Sequence, residues 1–279
     1  MNEILQKQTL ADKVKLLVFR SPQIAAKAQA GQFVILRVNE TGERFPLTIA
    51  DFDRQAGTLT IVLLEIGRST KLLGAMEVGE SILDVAGPLG HPTELGQLGT
   101  VVCVGGGVGI AAIHPIARAF REAGNHVVSI IGAKTRSLLF WENEMRRVSD
   151  ELIVTTDDGS YAAKGFVTDR LKELIAAGRK IDLVFAVGPT VMMRAVGEVT
   201  RPHAIKTMVS LNPIMVDGTG MCGGCRVEVA GERKFACVDG PDFDAHQVNF
   251  DLLLSRQRTY SSEEKHALGL CAEQASRAG

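Results

Sequence analysis

The run Thr100-Val101-Val102-Cys103-Val104-Gly105-Gly106-Gly107-Val108-Gly109, continued by residues 110–122 at helical spacing, decides the architecture. A short β-branched run, a glycine turn and an apolar-periodic helix make the first half of a parallel βαβ unit. The unit recurs downstream: strand 127–131 with helix 138–148, strand 151–155 with helix 167–177, strand 182–187 with helix 190–199, then strand 205–209. N–H groups at a helix N-terminus after such a turn form a seat for a dinucleotide pyrophosphate. The turn departs from G-x-G-x-x-G, because Ile110 fills the third glycine position and no acidic residue follows at the fingerprint distance. A tight turn without a ligand therefore stands beside the nucleotide reading. Gly188-Pro189, after another strand, and Asp157-Asp158-Gly159-Ser160, after the third, also fall at carboxyl ends of strands, where open α/β sheets bind ligands.

Upstream the pattern changes to closely spaced strands. Runs 13–20, 32–38, 44–52 and 58–65 are rich in β-branched and aromatic residues, and residues 53–57 have the length and glycine of a hairpin loop. One short helix over 69–76 and a strand over 81–85 precede Gly87-Pro88-Leu89-Gly90. Such spacing predicts an antiparallel barrel.

Downstream, Asp217-Gly218-Thr219-Gly220-Met221-Cys222-Gly223-Gly224-Cys225 is followed at a distance by Cys237. Plant-type [2Fe-2S] centres space their ligands Cys-x4-Cys-x2-Cys with a distant fourth Cys. Three positions match, and Asp217 puts a hard carboxylate at the first. The four glycines suit a loop that wraps closely round a cluster with N–H groups aimed at sulfur. A structural zinc with the same four ligands is the alternative. A redox dithiol at Cys222 and Cys225 is a third reading, but it needs a strand-to-helix setting that the glycines do not provide.

A length of 279 residues accommodates two domains and an appendage. With 31 basic and 32 acidic residues, two Tyr and one Trp, nucleic acid is not a partner. The absence of a long apolar run and of a basic-then-apolar start predicts a cytoplasmic protein without membrane insertion. Five cysteines, three of them clustered, do not form a disulfide framework. Cys103 reads as a buried small hydrophobe, Cys271 as a bystander, and His114, Met192 and Met193 as packing residues. The stretch after Cys237, with Phe243, Phe250, Leu252, Leu253 and Leu254, suits a helix packed on its own domain or a subunit contact.

Taken together, these motifs resemble the ferredoxin reductase superfamily, and within it the iron–sulfur flavoprotein electron-transfer subunits of dihydroorotate dehydrogenases and of NADH-dependent ferredoxin:NADP+ oxidoreductases. The resemblance covers nearly the whole chain. It implies an FAD-binding β-barrel over 1–97, an NAD(P)-binding parallel α/β domain over 98–209, a [2Fe-2S]-binding loop over 210–240, and a C-terminal tail over 241–279 for partner contact. Asp217 chooses between the two groups, since the resemblance assigns Cys there to the dihydroorotate group and Asp to the other. Arg44-Phe45-Pro46-Leu47-Thr48 resembles the flavin motif, with Thr48 near the flavin and Arg44 on its pyrophosphate. Arg44 stands one residue too far from Thr48, and Leu47 replaces an aromatic. Gly67, Ser69 and Thr70 resemble the second flavin phosphate segment, where simple helix capping is the alternative. The resemblance places Pro88, Leu89 and Gly90 beside the flavin at the domain junction. Residues Gly105, Gly106, Gly107, Val108 and Gly109 would carry the nicotinamide nucleotide's pyrophosphate, with Gly188 and Pro189 near the nicotinamide and Val187 where many relatives have Cys. Lys134 and Arg136 follow the second strand, where a 2′-phosphate would lie, but the resemblance implies NAD(H). The implied function is electron transfer between NAD(H), FAD and a [2Fe-2S] cluster held by Asp217, Cys222, Cys225 and Cys237, with a larger flavoprotein subunit carrying [4Fe-4S] clusters as partner. A nucleotide-binding regulator with a zinc loop is the competing class.

Overall fold

The computed structural model describes the backbone from residue 2 to residue 278 and the side chains from residue 2 to residue 269, so Cys271 lies outside the described side chains. Eight elements build the first domain: β1 (Ile4–Ala11), β2 (Val14–Arg20), α1 (Pro22–Ala25), β3 (Phe33–Arg37), β4 (Arg44–Asp53), β5 (Thr58–Leu64), α2 (Arg68–Ala75) and β6 (Asp84–Leu89). The strands pair antiparallel in the order β1-β2-β5-β4-β3-β6. A bridge between Glu3 and Ser81, with the Ile4 amide on the Glu80 carbonyl at 2.8 Å, joins the two edges and closes the barrel. Leu17, Phe19, Leu36, Ile49, Leu59, Ile61 and Leu63 fill it.

The second domain runs β7 (Thr100–Gly106), α3 (Gly109–Glu122), β8 (His126–Ala133), α4 (Glu142–Arg147), β9 (Glu151–Thr156), β10 (Ala163–Lys164), α5 (Val167–Ala176), β11 (Leu183–Val187), α6 (Thr190–Thr200) and β12 (Thr207–Ser210). After it come the hairpin β13 (Arg226–Val229) and β14 (Glu232–Phe235), strand β15 (Asp242–Asp244), α7 (Phe250–Gln257) and α8 (Ser261–Ala278). Sheet order is β10-β9-β8-β7-β11-β12-β15, parallel throughout except that β15 runs antiparallel to β12. The direction of strand order reverses at β7, flanked by β8 and β11. That reversal makes the crevice in which open α/β sheets bind ligands.

Helix α3 joins the domains. Its residues from Gly109 to Ala117 are buried all round, because one side packs on β7 and the other on β4 of the barrel. Ile110, Ile113, Ile116 and Phe120 are each about 1 % exposed or less, and burying such a side chain stabilises by about 1.5–3 kcal/mol. Alanines at 111, 112 and 117 let both neighbours approach closely. Arg118 crosses the boundary to pair with Asp51 at 2.8 Å.

Four segments differ from the sequence expectation. β1 is a strand although Ile4–Ala11 mixes apolar and polar residues without alternation, and only its ends, Ile4 and Ala11, are buried. β6 lies later than the expected 81–85 and takes in Pro88 and Leu89. The helix expected over 138–148 is a 3-10 turn at Arg136–Leu138 followed by α4, with Trp141 between them at φ 57°. Residues 242–244 rejoin the seven-stranded sheet instead of standing apart in a tail.

Candidate cofactor-binding site

At the crevice, Gly105 is in register with Val187, so the β7 turn and the β11 end finish level. Gly109 starts α3 against the Val187 carbonyl, and a Cβ there would also lie 2.8 Å from the Gly188 Cα. Gly107 differs: its φ is +55° and nothing lies within 4 Å of its Cβ position. Left-handed backbone facing open space at a helix N-terminus forms a cradle that a side chain would fill, which fits a dinucleotide pyrophosphate. Met192 fills the space left under Gly106 and Gly188, and Met193 is fully buried, so both are packing residues. Asp158 follows β9, two strands from the β7 turn, its carboxylate held low by the Ser160 hydroxyl and amide. Near it, Arg136 stacks 4.2 Å from the Tyr161 ring centroid.

On the barrel, Arg44 to Thr48 begin β4 with an exposed or half-buried face. β3 separates them from β6, and the rows align: Thr48 and Leu89 both oppose Phe33, while Pro46 and Ala86 both oppose Ile35. The expected flavin residues of two separate motifs thus share one strip, buried at its centre by Phe33 and Ile35 and half-exposed at Pro46, Thr48 and Leu89, and those accessible flanks fit a flavin. At the head of α2, however, the hydroxyls are engaged within the protein. Thr70 exchanges hydrogen bonds of 3.1 Å with the Gly67 amide and carbonyl, and Ser69 donates to the Glu43 carboxylate. Thr70 thus caps the helix, while Ser69 is tied to the loop before β4.

The cysteine loop abuts the same barrel wall. Gly218, at φ +75°, lies so close to β3 and β6 that a Cβ would sit 2.7 Å from Leu89 Cδ1 and 2.8 Å from Ile35 Cγ1. Cys225 and Cys237 are buried with their sulfurs 3.2 Å apart, and Cys222 is exposed, its sulfur accepting the Gly224 amide at 3.4 Å. Asp217 caps the loop: one carboxylate oxygen accepts the Thr219 amide and the other the Cys222 amide, both at 2.8 Å, which holds the acid below its ordinary range. Burial first, then the adjacent Cys225 thiol, pushes the Cys237 thiol up to about 12. Among the described residues no three such side chains form a ready metal group. The structure therefore pairs Cys225 with Cys237 and ties Asp217 to Cys222 through the backbone. Three soft sulfurs, a carboxylate and a glycine-rich wrap make a donor set that fits an iron–sulfur cluster, and the crowded thiol pair is relieved when a metal displaces the protons.

Residues 212–249 match the model of the iron–sulfur cluster binding domain of dihydroorotate dehydrogenase B. The electron transfer subunit homolog of dihydroorotate dehydrogenase B (NAD(+)) from Thermotoga maritima is 47% identical over 265 residues, which cover 95% of this chain and 93% of that one. The chain belongs to this family of electron-transfer subunits. A Geobacillus thermodenitrificans electron transfer subunit is 32% identical across 88% of this chain and 96% of its own length. Among solved structures, a chain of an NADH-dependent reduced ferredoxin-NADP oxidoreductase, studied for flavin-based electron bifurcation, superposes with a TM-score of 0.93 at 46% identity over 98% of both chains. The ferredoxin reductase-like architecture inferred for the electron-transfer subunit holds, and the matched cluster domain extends past residue 240 through β15. No helix among the described residues is long and apolar enough to cross a membrane.

Two features of the subunit escape sequence reasoning. One is the contact of Gly218 with Ile35 and Leu89. The other is a cleft of about 220 Å³ beside Cys222, lined by Arg226, Arg256 and Tyr260. Arg256 there donates to the Gly224 carbonyl at 3.2 Å, so α7 supports the cysteine loop.

Proposed function

We propose that this subunit passes electrons between NAD(H), FAD and a [2Fe-2S] cluster as part of an electron-bifurcating, NADH-dependent ferredoxin:NADP+ oxidoreductase. The contact of Gly218 with Ile35 and Leu89 carries the reading, since it sets the cysteine loop against the strip that holds Thr48 and Leu89. When bound, the flavin supplies hydride acceptance and division into single electrons for the cluster. The protein's own residues place and shield these groups. Gly105 to Gly109 and Gly188 receive the dinucleotide, Arg44, Pro46, Thr48, Pro88, Leu89 and Gly90 line the flavin strip, and Asp217, Cys222, Cys225 and Cys237 hold the cluster, whereas Leu47 of the expected set faces the barrel core and Gly67, Ser69 and Thr70 are engaged at the head of α2. No side chain is required as an acid or base.

The partner is a larger flavoprotein subunit carrying [4Fe-4S] clusters. Exposed Met221, Val216 and Tyr260 beside Cys222 support an exit toward it across the cysteine-loop face. Asp217, in the position where the dihydroorotate group carries Cys, favours the ferredoxin:NADP+ partner over a dihydroorotate one. The test is the visible spectrum, with iron and zinc counted, of anaerobically purified protein before and after NADH. Flavin bands and iron–sulfur absorbance that bleach together are expected, and a colourless protein with one zinc would refute the proposal.

A further inference from the structure

The segment that leaves Cys237 turns back onto the residues that follow Pro88 and Leu89. Its Gly240 carbonyl accepts the His91 amide at 2.7 Å. Gly90 is packed so tightly there that a Cβ would lie 3.0 Å from Pro241 Cδ and 3.2 Å from the Gly240 oxygen. One residue later, Asp242 Oδ2 accepts the hydroxyl of buried Thr93 at 2.7 Å, while the Thr93 amide donates to Ala30 at 2.9 Å. Asp242 stands opposite Ser210 in the β12–β15 pair, and its other oxygen, Oδ1, is shielded from solvent without a partner among the described residues. Gly31 closes the fourth side, its Cβ position 3.3 Å from Asp242 Oδ2. A carboxylate is an expensive group to enclose with one oxygen unsatisfied. Nothing in nucleotide or cluster ligation uses it.

We infer that Asp242 is a positioning residue, latching through Thr93 the strand that leaves cluster ligand Cys237 to the segment that follows Pro88 to Gly90. The inference rests on the proposed function, because it assigns the latch a task in transfer from flavin to cluster. Pro241 also accepts the Leu211 amide at 2.9 Å, so the latch draws the start of the cysteine loop, the end of its last ligand strand and the flavin-side segment into one joint. A joint of this kind fixes the placement of two groups held by different domains, and small losses of placement cost rate.

The test compares Thr93→Val, which removes the donor at nearly constant volume, with Asp242→Asn, which keeps an acceptor oxygen for Thr93. Amide hydrogen exchange across residues 90–93 reads the joint in the purified, cofactor-loaded protein. Stopped-flow absorbance and freeze-quench electron paramagnetic resonance read flavin and cluster reduction separately after mixing with NADH. In Thr93→Val, exchange at His91 and Thr93 is expected to rise about tenfold and cluster reduction to lag flavin reduction by a similar factor, with flavin reduction unchanged. Asp242→Asn should leave cluster reduction within about twofold of wild type and should not raise exchange at either position. Unchanged exchange in Thr93→Val, or flavin and cluster reduction slowed together, would overturn the inference. Protein that binds neither flavin nor iron would instead refute the functional proposal, and the exchange result would still decide whether the latch exists.

Discussion

Replacing Asp242 with Asn should make the protein more stable at neutral pH and leave it unchanged in acid. Burial, opposed by the Thr93 hydrogen bond and the facing Ser210 side chain and reinforced by the nearby charge of Glu94, raises the Asp242 carboxyl from 3.8 to about 6. The folded state therefore binds this proton more tightly than the unfolded chain does. Its contribution to stability is fully present below the unfolded value and is lost as pH rises through about 6. The gap of about two pH units, at ~1.36 kcal/mol each, sets the loss at about 3 kcal/mol. An amide carries no charge to desolvate and keeps one oxygen for the Thr93 hydroxyl, so the variant escapes that loss. Urea unfolding of both proteins, cofactor-loaded and at matched salt, should give equal stabilities near pH ~3 and a gap that widens to at most about 3 kcal/mol by pH ~7.5. The gap, and not either curve alone, is the quantity to read, because other groups titrate in both proteins. A gap that is constant across this range, or that widens toward acid, would refute the claim that burial governs this carboxyl.

The two crevice glycines should respond differently to alanine. Gly109→Ala drives a methyl into the Val187 carbonyl and should destabilise by about 1–3 kcal/mol, measured by thermal unfolding. Gly107→Ala meets no protein atom, so the left-handed backbone should cost only about 1–2 kcal/mol while NADH affinity, measured by calorimetry, falls further than in any variant outside the crevice. Asp217→Cys should retain iron yet shift the cluster potential in a redox titration, and an unchanged potential would remove Asp217 from the ligand set. Glu151, held down to about 2 chiefly by hydrogen bonds from Arg179, should lend stability that is present above pH 4.5 and fades as pH falls toward 2. Its side chain is 41% exposed, so solvent screening limits the effect of Arg179→Ala to about 1 kcal/mol or less at neutral pH.

The α/β domain and the barrel were legible because β-branched runs, glycine turns and hairpin loops recur at short range, and the cysteine loop because metal spacing is local. What stayed hidden is contact between distant segments. Thr93 and Asp242 lie 149 positions apart, and neither stands in a motif. β15 is three residues long, too short to carry a period, and is a strand only because β12 offers an edge. β1 lacks an alternating apolar pattern, with only Ile4 and Ala11 buried, and is a strand because it pairs with β2 along its length and is held at its start by the bridge from Glu3 to Ser81. The helix expected over 138–148 breaks at Trp141, whose left-handed backbone places its ring 5.2 Å from His114, a contact that no helical repeat encodes. Capping of α2 by Thr70 was an open alternative in the sequence, and the Glu43 contact of Ser69 was not foreseen.

Strand β3 explains how two sites on separate domains keep a fixed relation. Its alternate residues belong to different cores: Val34 and Leu36 point into the barrel, whereas Phe33 and Ile35 pack with Cys225, Cys237 and Met215 beneath the cysteine loop. The period of two that defines a strand thus makes β3 a wall shared by both sites. Its outer face is also the one whose rows carry Thr48 on one side and Leu89 on the other. A slip of one residue would reverse both faces, burying the barrel's residues under the loop and the loop's residues in the barrel, so the register is specified from two sides at once. Rigid-body movement between barrel and cysteine loop would have to expose Phe33 and Ile35, each under 5 % exposed, together with the buried sulfurs they cover. Motion between these two sites is therefore opposed by the same apolar burial that folds the chain. Placement of the flavin strip relative to the cluster ligands follows from strand register, and the Asp242 latch adjusts its far end.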